Sequence, residues 1–101
     1  MNMVVGVSCI EIFFPESHSL KDKRQMIKKV VEKTRARFNI SIIEVKQTNL
    51  WQRASIGFAL MGINRDHVNS AIENVHRHIE SLYLGEVINT WTEIIVMGNE
   101  I

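Results

Sequence analysis

Eight of the twelve basic residues fall in one stretch between Leu20 and Phe38: Lys21, Lys23, Arg24, Lys28, Lys29, Lys33, Arg35 and Arg37, against only Asp22 and Glu32. That stretch carries +6 and the remainder of the chain −5, so a formal net charge of +1 conceals a strong separation. On a helix, Lys21, Lys28 and Arg35 stand seven residues apart and drift by only about 20° per step, which forms a positive ridge suited to a phosphate backbone. The start of the same helix is a second candidate. Free amides there, the hydroxyls of Ser17 and Ser19, the His18 ring and the cations Lys21, Lys23 and Arg24 would together receive a phosphate or carboxylate. Cations in a first turn oppose the helix dipole at about 0.3–1 kcal/mol each, and an anion would relieve that cost. A solvated basic face with an ordinary capped start is the competing reading of these residues.

The other chemistry-bearing residues point to less. His76 and His78 are two apart on a predicted helix, hence about 200° apart around it, and cannot share one metal ion. Cys9 lies in a strand pattern and reads as a packed or interface thiol. Gly6, Gly57 and Gly62 are isolated within strand patterns, with no phosphate-cradling loop and no nucleophile elbow, so no cofactor, metal site or enzymatic activity is expected. Trp51 beside Arg53 has two readings: a stacking surface for a base or partner, or a lid over one end of the core, which is favoured.

These residues are positioned by six predicted elements. Met3 to Phe14 alternates as a strand, with Val4, Ser8, Ile10, Ile12 and Phe14 on one parity and Val5, Val7, Cys9, Glu11 and Phe13 on the other. Pro15 ends it, and Ser19 caps a helix whose apolar stripe is Leu20, Ile27, Val30, Val31, Thr34 and Phe38, with Asp22 reaching back as in a capping box. A strand over 40–45, a hairpin over 46–49 and a strand over about 50–61 follow, the last with Ala54, Ile56, Phe58 and Leu60 on one face. Asn64 caps a second helix, with Val68, Ala71, Ile72, Val75, Ile79 and Leu82 inward and Gly85 as its stop. Glu86 to Met97 is the final strand, with a tail over 98–101 that frays or extends it.

The order βαββαβ predicts an α+β, ferredoxin-like sandwich: a four-stranded antiparallel sheet with two helices on one face. With 101 residues, 46% hydrophobic and 23% charged, one domain over 1–101 is expected. A single cysteine, no secretory start and no apolar run of about 18 residues predict a cytoplasmic chain that begins near Met1 and has no membrane partner. The parity of Val5, Val7, Cys9 and Phe13 makes the sheet face away from the helices more apolar than a solvated face requires, which points to self-association there.

Three stretches resemble the YlxP-like family of small uncharacterised bacterial proteins: Ser17-His18-Ser19-Leu20-Lys21-Asp22-Lys23-Arg24, Arg37-Phe38-Asn39-Ile40-Ser41 and Leu50-Trp51-Gln52-Arg53-Ala54. The resemblance implies a ferredoxin-like fold. It also implies, by gene neighbourhood with ribosome-binding factor A and translation initiation factor two, an association with ribosomes or RNA. His18 stands where the family usually has a basic residue, and Cys9 and Phe13 stand where charged or polar ones are expected. The function expected is therefore a non-enzymatic accessory protein that meets ribosomal RNA or a ribosome-assembly partner through the first helix, with Lys21, Lys23, Arg24, Lys28 and Arg35 on phosphates. The alternative is a homo-oligomeric or protein-interaction module, a homodimer in the simplest case, pairing through its open sheet face.

Overall fold

The computed structural model describes residues 2–46 and 48–98, so the expectations for 47 and for 99–101 lie outside the described residues. The elements are β1 (Met3–Phe13), α1 (Leu20–Arg37), β2 (Ser41–Lys46), β3 (Arg53–Gly62), α2 (Arg65–Ser81) and β4 (Glu86–Met97). The strands form one antiparallel sheet in the order β2-β3-β1-β4, the ferredoxin-like arrangement. Alternation along β1 and β3 decides which side is covered. Val4, Ile10 and Ile12 with Ala54, Ile56 and Phe58 are buried beneath Ile27 and Val30 of α1 and Val68, Ile72, Val75 and Ile79 of α2. Both edge strands carry an irregularity, between Glu11 and Ile12 in the β1–β4 pairing and between Glu44 and Lys46 in the β2–β3 pairing.

Helix starts follow the predicted chemistry. Ser19 accepts from the Asp22 amide at 3.0 Å, and Asn64 accepts from the His67 amide at 2.9 Å. The reach back of Asp22 is one residue longer than in a capping box, because its carboxylate accepts from the His18 amide at 3.0 Å. β3 begins at Arg53 and not near residue 50, since the segment before it is held in a loop against the start of α1.

The end of α2 corrects one expectation. Gly85 does not stop the helix: Leu82 is its C-cap, and the residue in the left-handed region is Tyr83, at φ 53°. Gly85 is needed for another reason. A Cβ there would stand 2.6 Å from Ile12 Cγ2, 2.8 Å from Phe14 Cδ1 and 2.9 Å from the Phe13 carbonyl oxygen, where backbone cannot yield. Tyr83→Gly is therefore expected to stabilise the fold by about 1 kcal/mol, and Gly85→Ala to destabilise it by about 1–3 kcal/mol, in urea unfolding. Equal and small effects at both positions would show that neither backbone reading holds.

Candidate nucleic-acid interface

Several groups expected to receive an anion at the start of α1 are engaged within the protein, while His18, Lys21 and Arg24 are exposed. Ser17 is buried, and its hydroxyl donates to the Trp51 carbonyl at 2.6 Å and to the Ser19 carbonyl at 3.1 Å. The Lys23 side chain turns inward. Only 2% of the residue is exposed, and its Nζ donates to the Thr48 carbonyl at 2.9 Å and to Thr48 Oγ1 at 3.3 Å. Ser19 is spent on the cap and the His18 amide on Asp22. Three members of the expected anion site, Ser17, Ser19 and Lys23, thus belong to an internal lock between two loops, completed by Gln52 Nε2 donating to the carbonyls of Pro15 and Ser17, each at 3.2 Å. The two oxygens offset part of the cost of taking the ammonium out of water, because hydrogen bonds from a charged donor are stronger than those from a neutral one.

The ridge farther along α1 has a different fate. Arg24, Lys28 and Arg35 line one groove of about 300 Å³ between α1 and the edge strand β2, with Ile27, Val31 and Ile42 as its apolar floor and the β2 edge at Ile43 and Glu44 as its rim. Arg35 donates to the Ile42 carbonyl at 3.0 Å, which fixes the guanidinium against the sheet and satisfies a strand-edge oxygen. Lys28 makes only an exposed contact with Glu32 at 3.9 Å, an attraction of little strength in water. Lys21 is exposed on the first turn.

Trp51 is not a lid. It is 58% exposed and, with Phe13, Asn49, Leu50, Gln52 and Arg53, borders a second groove of about 600 Å³. Its main chain faces the start of α1, where its carbonyl accepts from the Ser17 hydroxyl. Arg53 lies 3.9 Å from Glu11.

A family model described as "Protein of unknown function (DUF503)" matches residues 5–92. The chain belongs to the DUF503 family. It is 30% identical over 78 residues to "Uncharacterized protein YlxP" of Bacillus subtilis (strain 168), covering 77% of this chain and 85% of that protein. Among solved structures, "De novo designed protein Foldit4" is similar over 98% of this chain and 99% of its own, with a TM-score of 0.48 and 14% identity.

This DUF503 member also contains a polar network that sequence reasoning missed. Fully buried Ser8 lies 2.8 Å from His76 Nε2 and 3.1 Å from Thr92 Oγ1, so β1, α2 and β4 share one hydroxyl. The available signal was a serine on the buried parity of β1 and a histidine beside the Ile72-Val75-Ile79 stripe. A serine and a histidine at this distance suggest a nucleophile and its base, but no solvent reaches Ser8, so a substrate carbonyl cannot approach it. The ring of His76 also meets Phe58 edge-on at 5.6 Å. His78 faces elsewhere, edge-on to Phe38 at 5.3 Å, in a cleft it shares with Arg37, Asn74, Arg77 and Ser81.

Burial lowers the pKa of His76 below the usual imidazole range, against the opposing pull of Glu80 and Glu73. Burial, helped by Arg37 and Lys33, lowers that of His78. A histidine with a depressed folded-state pKa binds fewer protons folded than unfolded, so its stabilising share is complete above the unfolded value of about 6.5 and is lost as pH falls below it. The urea midpoint should therefore drop between pH 7 and 5, and His76→Gln should make that drop shallower. A midpoint that is flat over this interval in the parent protein would contradict the assignment.

Proposed function

We propose that this chain is a non-enzymatic, cytoplasmic accessory protein that docks on the phosphate backbone of RNA, in the setting of ribosome assembly, through α1 and the groove along β2. The observation that carries the reading is that Arg24, Lys28 and Arg35 share one groove wall, with Arg35 already fixed in place by the Ile42 carbonyl. A preset guanidinium loses less side-chain freedom on meeting a phosphate than a free one does. The separation of charge, +6 on α1 against −5 elsewhere, adds steering: a polyanion is drawn to this side and repelled from the rest. Contacts of this kind position a nucleic acid without reading its sequence, so recognition rests on backbone shape. The resemblance to a family encoded beside ribosome-assembly and initiation factors supports RNA over another polyanion. Lys23 and Ser17 have structural duties in this scheme, and Lys21 adds to the ridge from the first turn.

Binding to a ribosomal RNA fragment across a salt series tests the proposal. The logarithm of affinity should fall linearly with the logarithm of salt, and Arg24→Glu with Lys28→Glu should reduce the slope by about 0.7–0.9 for each phosphate contact removed. Lys29→Glu alters charge outside the groove and should cost distinctly less than Lys28→Glu. Affinity indifferent to salt, or an equal loss from both lysine variants, would sink the groove as the contact surface.

A further inference from the structure

The face of the sheet turned away from the helices carries exposed apolar side chains on all four strands. Ile43 and Met61 are each 60% exposed and Trp91 54%, with Val7, Val45 and Ile95 also exposed. Here we propose that a second copy of this chain covers the face, in a two-fold dimer whose axis runs along the strands between β1 and β3.

Size is the first argument. Four strands about 4.8 Å apart and some ten residues long at about 3.3 Å per residue present roughly 600 Å² per copy, or about 1,200 Å² for the pair, which reaches the lower bound of stable interfaces. The register is the second. A two-fold along the strands places β1 of one copy over β3 of the other, and β4 over β2, with every row kept at its own level. Rows read across the strand pairings then set Val5 against Met61, Val7 against Ala59, Cys9 against Gly57 and Trp91 against Ile43. Charges fall on acceptable partners in the same arrangement: Glu11 meets Ser55, Glu93 meets Ser41, Phe13 meets Arg53, and Lys46 meets Asn89 one row from Glu86. No acid faces an acid. An axis across the strands would instead press Glu11 onto Val5 and Asn89 onto Ile95, burying polar groups against aliphatic ones. At the centre Ala59 and Cys9 are small, and Val45 Cγ2 lies over Gly57 where a Cβ would stand, so the row is filled without a bulky side chain on β3 and two twisted sheets can approach to the usual spacing of about 10 Å. This inference is independent of RNA binding, since α1 and its groove lie near the other side of the sheet.

Sedimentation equilibrium at tens of micromolar should give twice the 11.7 kDa of the chain. Val7→Asp and, separately, Trp91→Glu should return the mass to that of one chain with far-UV circular dichroism unchanged. Lys46→Glu and Glu86→Lys should each weaken the dimer, and the double exchange should recover most of the loss. A monomeric parent protein, or a dimer untouched by both Val7→Asp and Trp91→Glu, would overturn the proposal. Failure of the double exchange to improve on the single variants would overturn the axis.

Discussion

Burial of every second side chain of β1 is the constraint on which the remaining structure depends. β1 is hydrogen-bonded on both sides, to β3 and to β4, and its covered parity runs Val4, Gly6, Ser8, Ile10, Ile12. A slip of one residue would carry Glu11 and Cys9 under the helices and expel Ile10 and Ile12, so the register is fixed by burial. Two exceptions in this row are explained by what lies above them. Gly6 is where α2 comes closest, because a Cβ there would sit 2.5 Å from Ile72 Cδ1 and 2.6 Å from Val68 Cγ1. Ser8 is polar because His76 and Thr92 hydrogen-bond its hydroxyl, so that this oxygen is paired although fully buried.

From that register the two proposed surfaces separate. The covered face orders the helices, and with them the basic side of α1 beside the β2 edge. The opposite parity of the same strand supplies Val5, Val7, Cys9 and Phe13 to the open face. Between the two, the loop lock of Ser17, Lys23, Thr48, Trp51 and Gln52 ties the entry to α1 to the entry to β3. It sets where α1 starts along the sheet, and so which cations come to lie over β2.

Most of the fold was legible because its signals are local. Strand alternation, the caps at Ser19 and Asn64, and the apolar stripe of α2 are read directly from neighbouring residues. The β4 bounds match those expected, and the others differ by about one to three residues. The site was legible only in part. Heptad spacing put Lys21, Lys28 and Arg35 on one ridge; Lys28 and Arg35 line the groove together with Arg24, and Lys21 is not part of its lining. Charge counting treated Lys23 as a surface cation, since nothing local reveals that Thr48 would stand over it. Trp51 was misjudged for the same reason: its main chain is tied to Ser17, 34 positions away, in a loop and not in the strand expected there. Gly85 was read as a helix stop when its true constraint is the packing of Ile12 and Phe14 from the first strand region. Each miss is a long-range contact that periodicity does not encode.

The central claim is that α1 with the β2 edge meets nucleic acid while the open sheet face does not. Backbone amide shift mapping by nuclear magnetic resonance, during titration with a short RNA duplex, tests it most directly. The account predicts perturbations concentrated at Lys21, Arg24, Lys28, Arg35 and residues 41–44, with Val5, Val7, Cys9 and Trp91 unmoved. Perturbations centred on the open sheet face, with α1 silent, would contradict it.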